Sequence, residues 1–152
     1  MAVRAGPGAP IINFMSKIDD IYMSEALKEA KEAFDKDEVP VGAVIVHKRR
    51  IIARAHNQTV MLKDPTAHAE MVAITEAAAY LKSERLLGSS IYVTIEPCSM
   101  CAGALVLARV KRIIYGAKGP TFAMVHNNHI RCRLCIFLLS PLLLHFLPKS
   151  MT

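Results

Sequence analysis

The sequence predicts an α/β domain in which a sheet is covered by helices on both faces. Two observations carry this reading. Apolar residues recur with a helical period in some stretches and a strand-like period in others. These stretches follow one another in the order α-β-β-α-β-α-β, a pattern that closes a layered core. Size and composition agree: 152 residues, 53% hydrophobic and 21% charged, suffice for one core and exclude a disordered chain. Seven glycines and eight prolines without a period exclude collagen-like and low-complexity classes. No apolar run reaches the roughly 18 residues of a membrane span, so none is expected.

The first element starts at Ile18. Ile21, Ala26, Leu27, Ala30, Ala33 and Phe34 recur at helical spacing, with Lys28, Glu29, Lys31 and Glu32 on much of the opposite face. Pro40 predicts a helix end near Asp35–Asp37. Val41–His47 and Arg50–Ala55 read as two strands of a hairpin around Lys48-Arg49. Residues 57–64 form a polar connection. Ala67–Leu81 is alanine-rich and helical, with Pro65 at its opening. Ser90–Ile95 predicts a strand, Ser99–Arg109 a helix and Arg112–Gly116 a further strand.

The two ends differ in character from this middle. Residues 1–17 are expected to be a disordered extension, rich in Ala, Gly and Pro, with Met15 an alternative start and a targeting segment only thinly supported. Residues 18–118 form the predicted domain, and 119–152 an apolar and basic tail. That tail holds Arg131, Arg133 and Lys149 with no acid, half of the net charge of +6. The basic balance is therefore weak evidence for nucleic acid as a partner. Within the tail, residues 136–147 (IFLLSPLLLHFL) carry nine Ile, Phe or Leu but are broken by Pro141.

Four cysteines fall in two C-x-x-C pairs, Cys98/Cys101 and Cys132/Cys135. With no secretory signal ahead of them, this spacing points to metal or redox chemistry before structural disulfides. One pair stands out by its company. Pro97-Cys98-Ser99-Met100-Cys101 follows a strand and opens a helix, and His68-Ala69-Glu70 opens the helix before it. Zinc takes nitrogen and thiolate donors in a tetrahedron, and a catalytic site uses three of them. Cys98 and Cys101 share one helix face, the helix N-terminus favours their thiolates, and His68 supplies the third donor. Glu70 sits too close in sequence to be a comfortable fourth ligand, but it can move protons at an activated water.

The combination H-A-E followed by P-C-x-x-C is the zinc deaminase signature. Longer strings narrow it: Val39-Pro40-Val41-Gly42-Ala43-Val44, Asn57, Asp64-Pro65-Thr66-Ala67-His68-Ala69-Glu70, and residues 92–105 (YVTIEPCSMCAGAL). Together they resemble the bacterial-type tRNA adenosine deaminases from about Ile21 to Lys118. The resemblance implies a three-layer α/β/α cytidine deaminase-like fold with a mixed central sheet. It implies one zinc per subunit on His68, Cys98 and Cys101, with Glu70 as the acid/base. Asn57 and the backbone N–H of Ala69 would meet the substrate. The implied reaction is hydrolysis of adenosine to inosine at the wobble position of a tRNA anticodon loop, whose single strand leaves the base free to unstack. A homodimer and a cytoplasmic location are implied with it.

The resemblance stops after Lys118. The family continues there with a glycine-containing turn, another strand and a C-terminal helical region, whereas Lys118-Gly119-Pro120 leads into the acid-free tail. A truncated or out-of-frame end has this look, and it predicts a sheet incomplete at its C-terminal edge, with a catalytically impaired form as an alternative. Two rival functions remain open at this point. One is a zinc deaminase of a free base or nucleotide of guanine or cytosine type. The other is a structural four-thiolate zinc site on Cys98, Cys101, Cys132 and Cys135, which would leave His68-Ala69-Glu70 without a role.

Overall fold

A computed structural model describes residues 17–119, 125–126 and 129–130. The chain runs α1 (Lys17–Asp35), β1 (Gly42–His47), β2 (Arg50–His56), α2 (Thr59–Leu62), α3 (Ala69–Leu81), β3 (Ser90–Ile95), α4 (Ser99–Leu107) and β4 (Arg112–Ala117). Two short strands, β5 (Val125–His126) and β6 (His129–Ile130), pair only with each other. The remaining residues, including the proposed start at Met15, Cys132, Cys135 and the run 136–147, lie outside the described region.

Four strands form one sheet in the order β2-β1-β3-β4. The β1–β2 and β1–β3 pairs are antiparallel and β3–β4 is parallel, so the sheet is mixed as expected. Lys48 and Arg49 turn the hairpin with φ of 47° and 64°, the left-handed pair that matches the strand twist. Among the described residues, nothing pairs with the free edge of β4.

Alternation along the strands sends side chains to two cores. Ala43, Ile45, Ile91, Val93 and Ile113 face α3 and α4, where Ala69, Ala73, Ala77, Leu105 and Ala108 complete the cluster. Val44, Val46, Tyr92 and Ile114 face α1 and meet Met23 and Ala26. The result is three layers. On α1 the buried stripe is Asp19, Met23, Ala26, Ala30 and Ala33, spaced three or four apart. Ile21, Leu27 and Phe34, which share the helical period, are exposed instead. Gly42 explains the close seat of α1 on β1: a Cβ there would run into the Ala26 carbonyl and the Ala30 nitrogen.

Several boundaries move from their expected places. The helix α1 opens at Lys17, one residue early, and the polar connection contains the short helix α2. Pro65 lies in the turn ahead of α3, because His68 and not Pro65 occupies the N-cap. Pro97 likewise precedes the N-cap of α4, which is Cys98, and α4 ends at Leu107.

Candidate metal centre and catalytic cavity

His68 and Cys98 have equivalent places in the fold. Each is an N-cap in extended conformation, with ψ of 153° and 172°, and its side chain is free of capping duty. Both helix starts lie at the same end of the sheet, so their first turns meet. The Nδ1 of His68 stands 3.7 Å from Cys98 Sγ and 3.5 Å from Cys101 Sγ. All three donor atoms lie within 4.8 Å of one another.

These distances provide a test for zinc. Zn–S near 2.3 Å and Zn–N near 2.1 Å at a tetrahedral angle set nitrogen and sulfur about 3.6 Å apart. The observed pair brackets that value. Both thiols are free of disulfide bonding. Burial, with Glu70 and Cys98 beside it, pushes the Cys101 thiol well up, a cost that a bound cation removes by stabilising the thiolate. The donor set therefore fits a zinc ion held by His68, Cys98 and Cys101. The positive ends of α3 and α4 also favour the negative charge of the two thiolates.

Glu70 lies outside this tight donor group. It is 3% exposed, and burial raises its carboxyl above the ordinary range against the opposing pull of its own backbone N–H, His68 and Cys101. A buried carboxyl whose proton affinity is raised beside the donors is suited to take up a proton and give it back. Ala69 is fully buried in the first turn of α3, where a helix leaves its N–H groups without internal partners.

A cavity of about 300 Å³ opens over these groups. Val39, Val41 and Ile95 give it apolar walls, and Asn57, Glu70, His68 and Cys98 line it with polar groups. The expected residues Asn57, His68, Glu70 and Cys98 thus share one cavity, while Cys101 lies buried beneath it.

Glu38 fixes the cavity residue Asn57, a contact that the sequence patterns do not mark. Its carboxylate is buried beside Asn57, accepts from Asn57 Nδ2 at 3.1 Å, and accepts from the N–H groups of Val60 at 3.2 Å and Met61 at 2.7 Å. Desolvation pushes this carboxyl up, but the donors from Met61, Val60, Asn57 and Thr59 together outweigh it and hold it below its ordinary value. Asn57 Nδ2 also donates to Thr59 Oγ1 at 2.9 Å, so its amide is fixed from two sides. An acid two positions ahead of Pro40 in a loop is the sequence signal for this contact.

Known proteins match this architecture. The family model for the cytidine and deoxycytidylate deaminase zinc-binding region matches residues 16–117. The tRNA-specific adenosine deaminase of Bacillus subtilis is 54% identical over 102 residues, covering 67% of this chain and 63% of the relative. The chloroplastic tRNA(adenine(34)) deaminase of Arabidopsis thaliana is 55% identical over 100 residues, which is 66% of this chain and 8% of that longer protein. This chain therefore spans less than two thirds of either relative. Among solved structures, a tRNA:A34 deaminase of A-to-I editing superposes with a TM-score of 0.68 and 49% identity, over 70% of this chain and 77% of that one. Guanine deaminase from Bacillus subtilis superposes with a TM-score of 0.64 and 38% identity, over 65% and 64%. With the His–Cys–Cys donors, the mixed sheet and the matching span in agreement, this chain belongs to the cytidine and deoxycytidylate deaminase zinc-binding family.

Proposed function

We propose that this chain catalyses the zinc-dependent hydrolytic deamination of adenosine to inosine at the wobble position of tRNA. One observation carries the reading: a buried carboxyl, Glu70, shares a cavity with a fixed amide and with His68 and Cys98 of a donor trio of zinc geometry. Identity of 54% to a tRNA-specific adenosine deaminase supports the choice of substrate. The domain would span residues 18–118, with 119–152 as a separate tail.

His68, Cys98 and Cys101 would hold the zinc. When bound, that ion supplies Lewis-acid activation of water near neutral pH. Glu70 takes a proton from the water and delivers it to the purine ring nitrogen, then moves the second proton to the departing amine. Water adds at C6, ammonia leaves, and inosine remains. Asn57, held by Glu38 and Thr59, orients the nucleoside, and the first-turn N–H of Ala69 gives a further donor. Val39, Val41 and Ile95 keep bulk water from the base.

We also propose a homodimer and a cytoplasmic location. Val60, Met61 and Leu62 of α2 are all more than half exposed beside the cavity mouth, an apolar strip suited to a second copy. Sedimentation velocity tests the first, and a purely monomeric protein at micromolar concentration would remove it. Subcellular fractionation tests the second, and the protein in an organelle fraction would remove it.

The likeness to guanine deaminase favours a second reading, deamination of a free base. Zinc-loaded protein incubated in parallel with tRNA carrying a wobble adenosine, with free guanine and with cytidine separates them. The tRNA reading expects inosine in the tRNA and no turnover of the others. Faster ammonia release from guanine would overturn it.

A further inference from the structure

Glu96 is the one described residue with a buried side-chain polar atom that has no hydrogen-bond partner. It stands between β3 and Pro97, two positions ahead of the donor Cys98. Its backbone N–H extends the ladder to the Ala117 carbonyl at 2.8 Å, so its place is fixed. The residue is 7% exposed and lines the catalytic cavity. One carboxylate oxygen, Oε2, accepts the N–H of Gly119 at 3.3 Å, and the other, Oε1, is the orphan.

A buried oxygen without a donor is costly, because folding has stripped its water and returned nothing. Glu38, which holds the cavity residue Asn57, shows the contrast: its two oxygens accept from Asn57, Val60 and Met61. Such an imbalance is ordinarily relieved by a group that arrives later. Among the described residues no donor reaches Oε1. Gly119 is packed so closely that a Cβ on it would come within 3.3 Å of the Glu96 carbonyl. Oε1 itself is covered, and the open space nearest to it is the cavity that Glu96 lines. The last torsion of a glutamate side chain is soft, so a ligand there can meet the carboxylate without backbone movement.

We infer that Glu96 is a substrate-binding residue that accepts a hydrogen bond from the nucleoside in the cavity, while its other oxygen holds the Gly119 segment as part of the cavity wall. This rests on the deaminase reading above. The donor chemistry is an O–H or N–H, and in an RNA nucleoside its sources are the ribose 2′-hydroxyl and the exocyclic amine. A charged acceptor that rejects a ligand lacking the donor gives specificity of the kind apolar pockets cannot.

The test uses the zinc-loaded full chain, its Glu96→Gln and Glu96→Ala variants, and anticodon stem-loops. The target nucleotide is adenosine, 2′-deoxyadenosine or purine riboside, which lacks the amine. Zinc content and melting temperature are measured on each protein. Glu96→Gln keeps a carbonyl for Gly119 and replaces the second acceptor by a donor. It is expected to keep zinc and fold, and to raise KM about 10- to 100-fold with little change in kcat. In the binding cycle, the stem-loop lacking the true donor should bind wild type more weakly by a similar factor and lose nothing further in the variant. That identifies the hydroxyl or the amine. Equal KM for wild type and Glu96→Gln would overturn the inference, as would undiminished wild-type binding of both modified stem-loops, which needs no variant to fold. Loss of zinc or of the fold in both variants, with no coupling to either modified stem-loop, would make Glu96 structural only and overturn it as well. Failure of wild type to convert adenosine in any stem-loop would instead remove the deaminase reading, and the inference with it.

Discussion

Against one face of the sheet lie α3 and α4, whose contact surfaces are mostly alanine; against the other lies α1, seated on Gly42 and pinned by a buried polar contact. Ala69, Ala73 and Ala77 let α3 approach the strands and α4 closely. That approach is what brings two helix starts within reach of one ion. On the opposite face, Tyr92 donates to Asp19 at 2.6 Å, and Asp19 also receives Arg112 at 3.4 Å. No member of that cluster lines the cavity over the donors. One face therefore carries chemistry at the ends of its helices, and the other holds the sheet in place behind it. Substitutions on the two faces should separate activity from stability.

The largest separation is expected at Glu70. Glu70→Ala should keep zinc and fold and lower turnover by about 10²- to 10⁴-fold, the usual worth of a positioned proton carrier. Inosine formation at wild-type rate by the zinc-loaded variant would exclude Glu70 as the acid/base. Gly42→Ala acts on the other face. The added methyl would sit 2.7 Å from the Glu29 Cβ and closer still to the α1 backbone, so α1 must shift. A destabilisation of about 1–3 kcal/mol or more is expected, read as a lower melting temperature with zinc still bound. An unchanged melting temperature would mean that α1 does not rest on β1 as described.

Tyr92→Phe should cost about 1 kcal/mol and leave turnover unchanged, since it deletes one buried hydrogen bond far from the donors. A matching loss of zinc would link the two faces. The smallest effect is in acid. The Glu38 carboxyl lies below its ordinary value of 4.5 in the folded protein. The stability it contributes is therefore fully present above about pH 4.5 and is lost as pH falls through the lowered folded value. Urea melts from pH 6 down to 3 should show wild type losing more stability below 4.5 than Glu38→Gln does. Parallel curves would contradict the assignment.

Most of this was legible before any coordinates. The short apolar runs Ala43–Val46 and Ile91–Val93 carried the sheet, because strands covered on both faces are apolar at successive positions. His68, Glu70, Cys98 and Cys101 were legible because the chemistry requires those residue types at those spacings. Glu38 and Glu96 were not, since their roles come from partners distant in sequence: Met61 lies 23 residues from Glu38, and Gly119 lies 23 from Glu96. The buried stripe of α1 was half legible. Ile21, Leu27 and Phe34 have the right period, but the narrow space above β1 accepts alanine, so the larger side chains face solvent. The helix expected from Ala67 starts two residues later, because Pro65 lies in a turn and His68 occupies the N-cap, whereas α4 starts at Ser99 as expected.

The central claim, that the starts of α3 and α4 build one metal site, is tested most directly by zinc stoichiometry on purified full-length protein. Wild type should carry one zinc per chain, His68→Ala and Cys98→Ser should lose most of it, and Cys132→Ser should keep it. Loss of zinc from Cys132→Ser as complete as from Cys98→Ser, with full retention in His68→Ala, would contradict the account and point to a four-thiolate site instead.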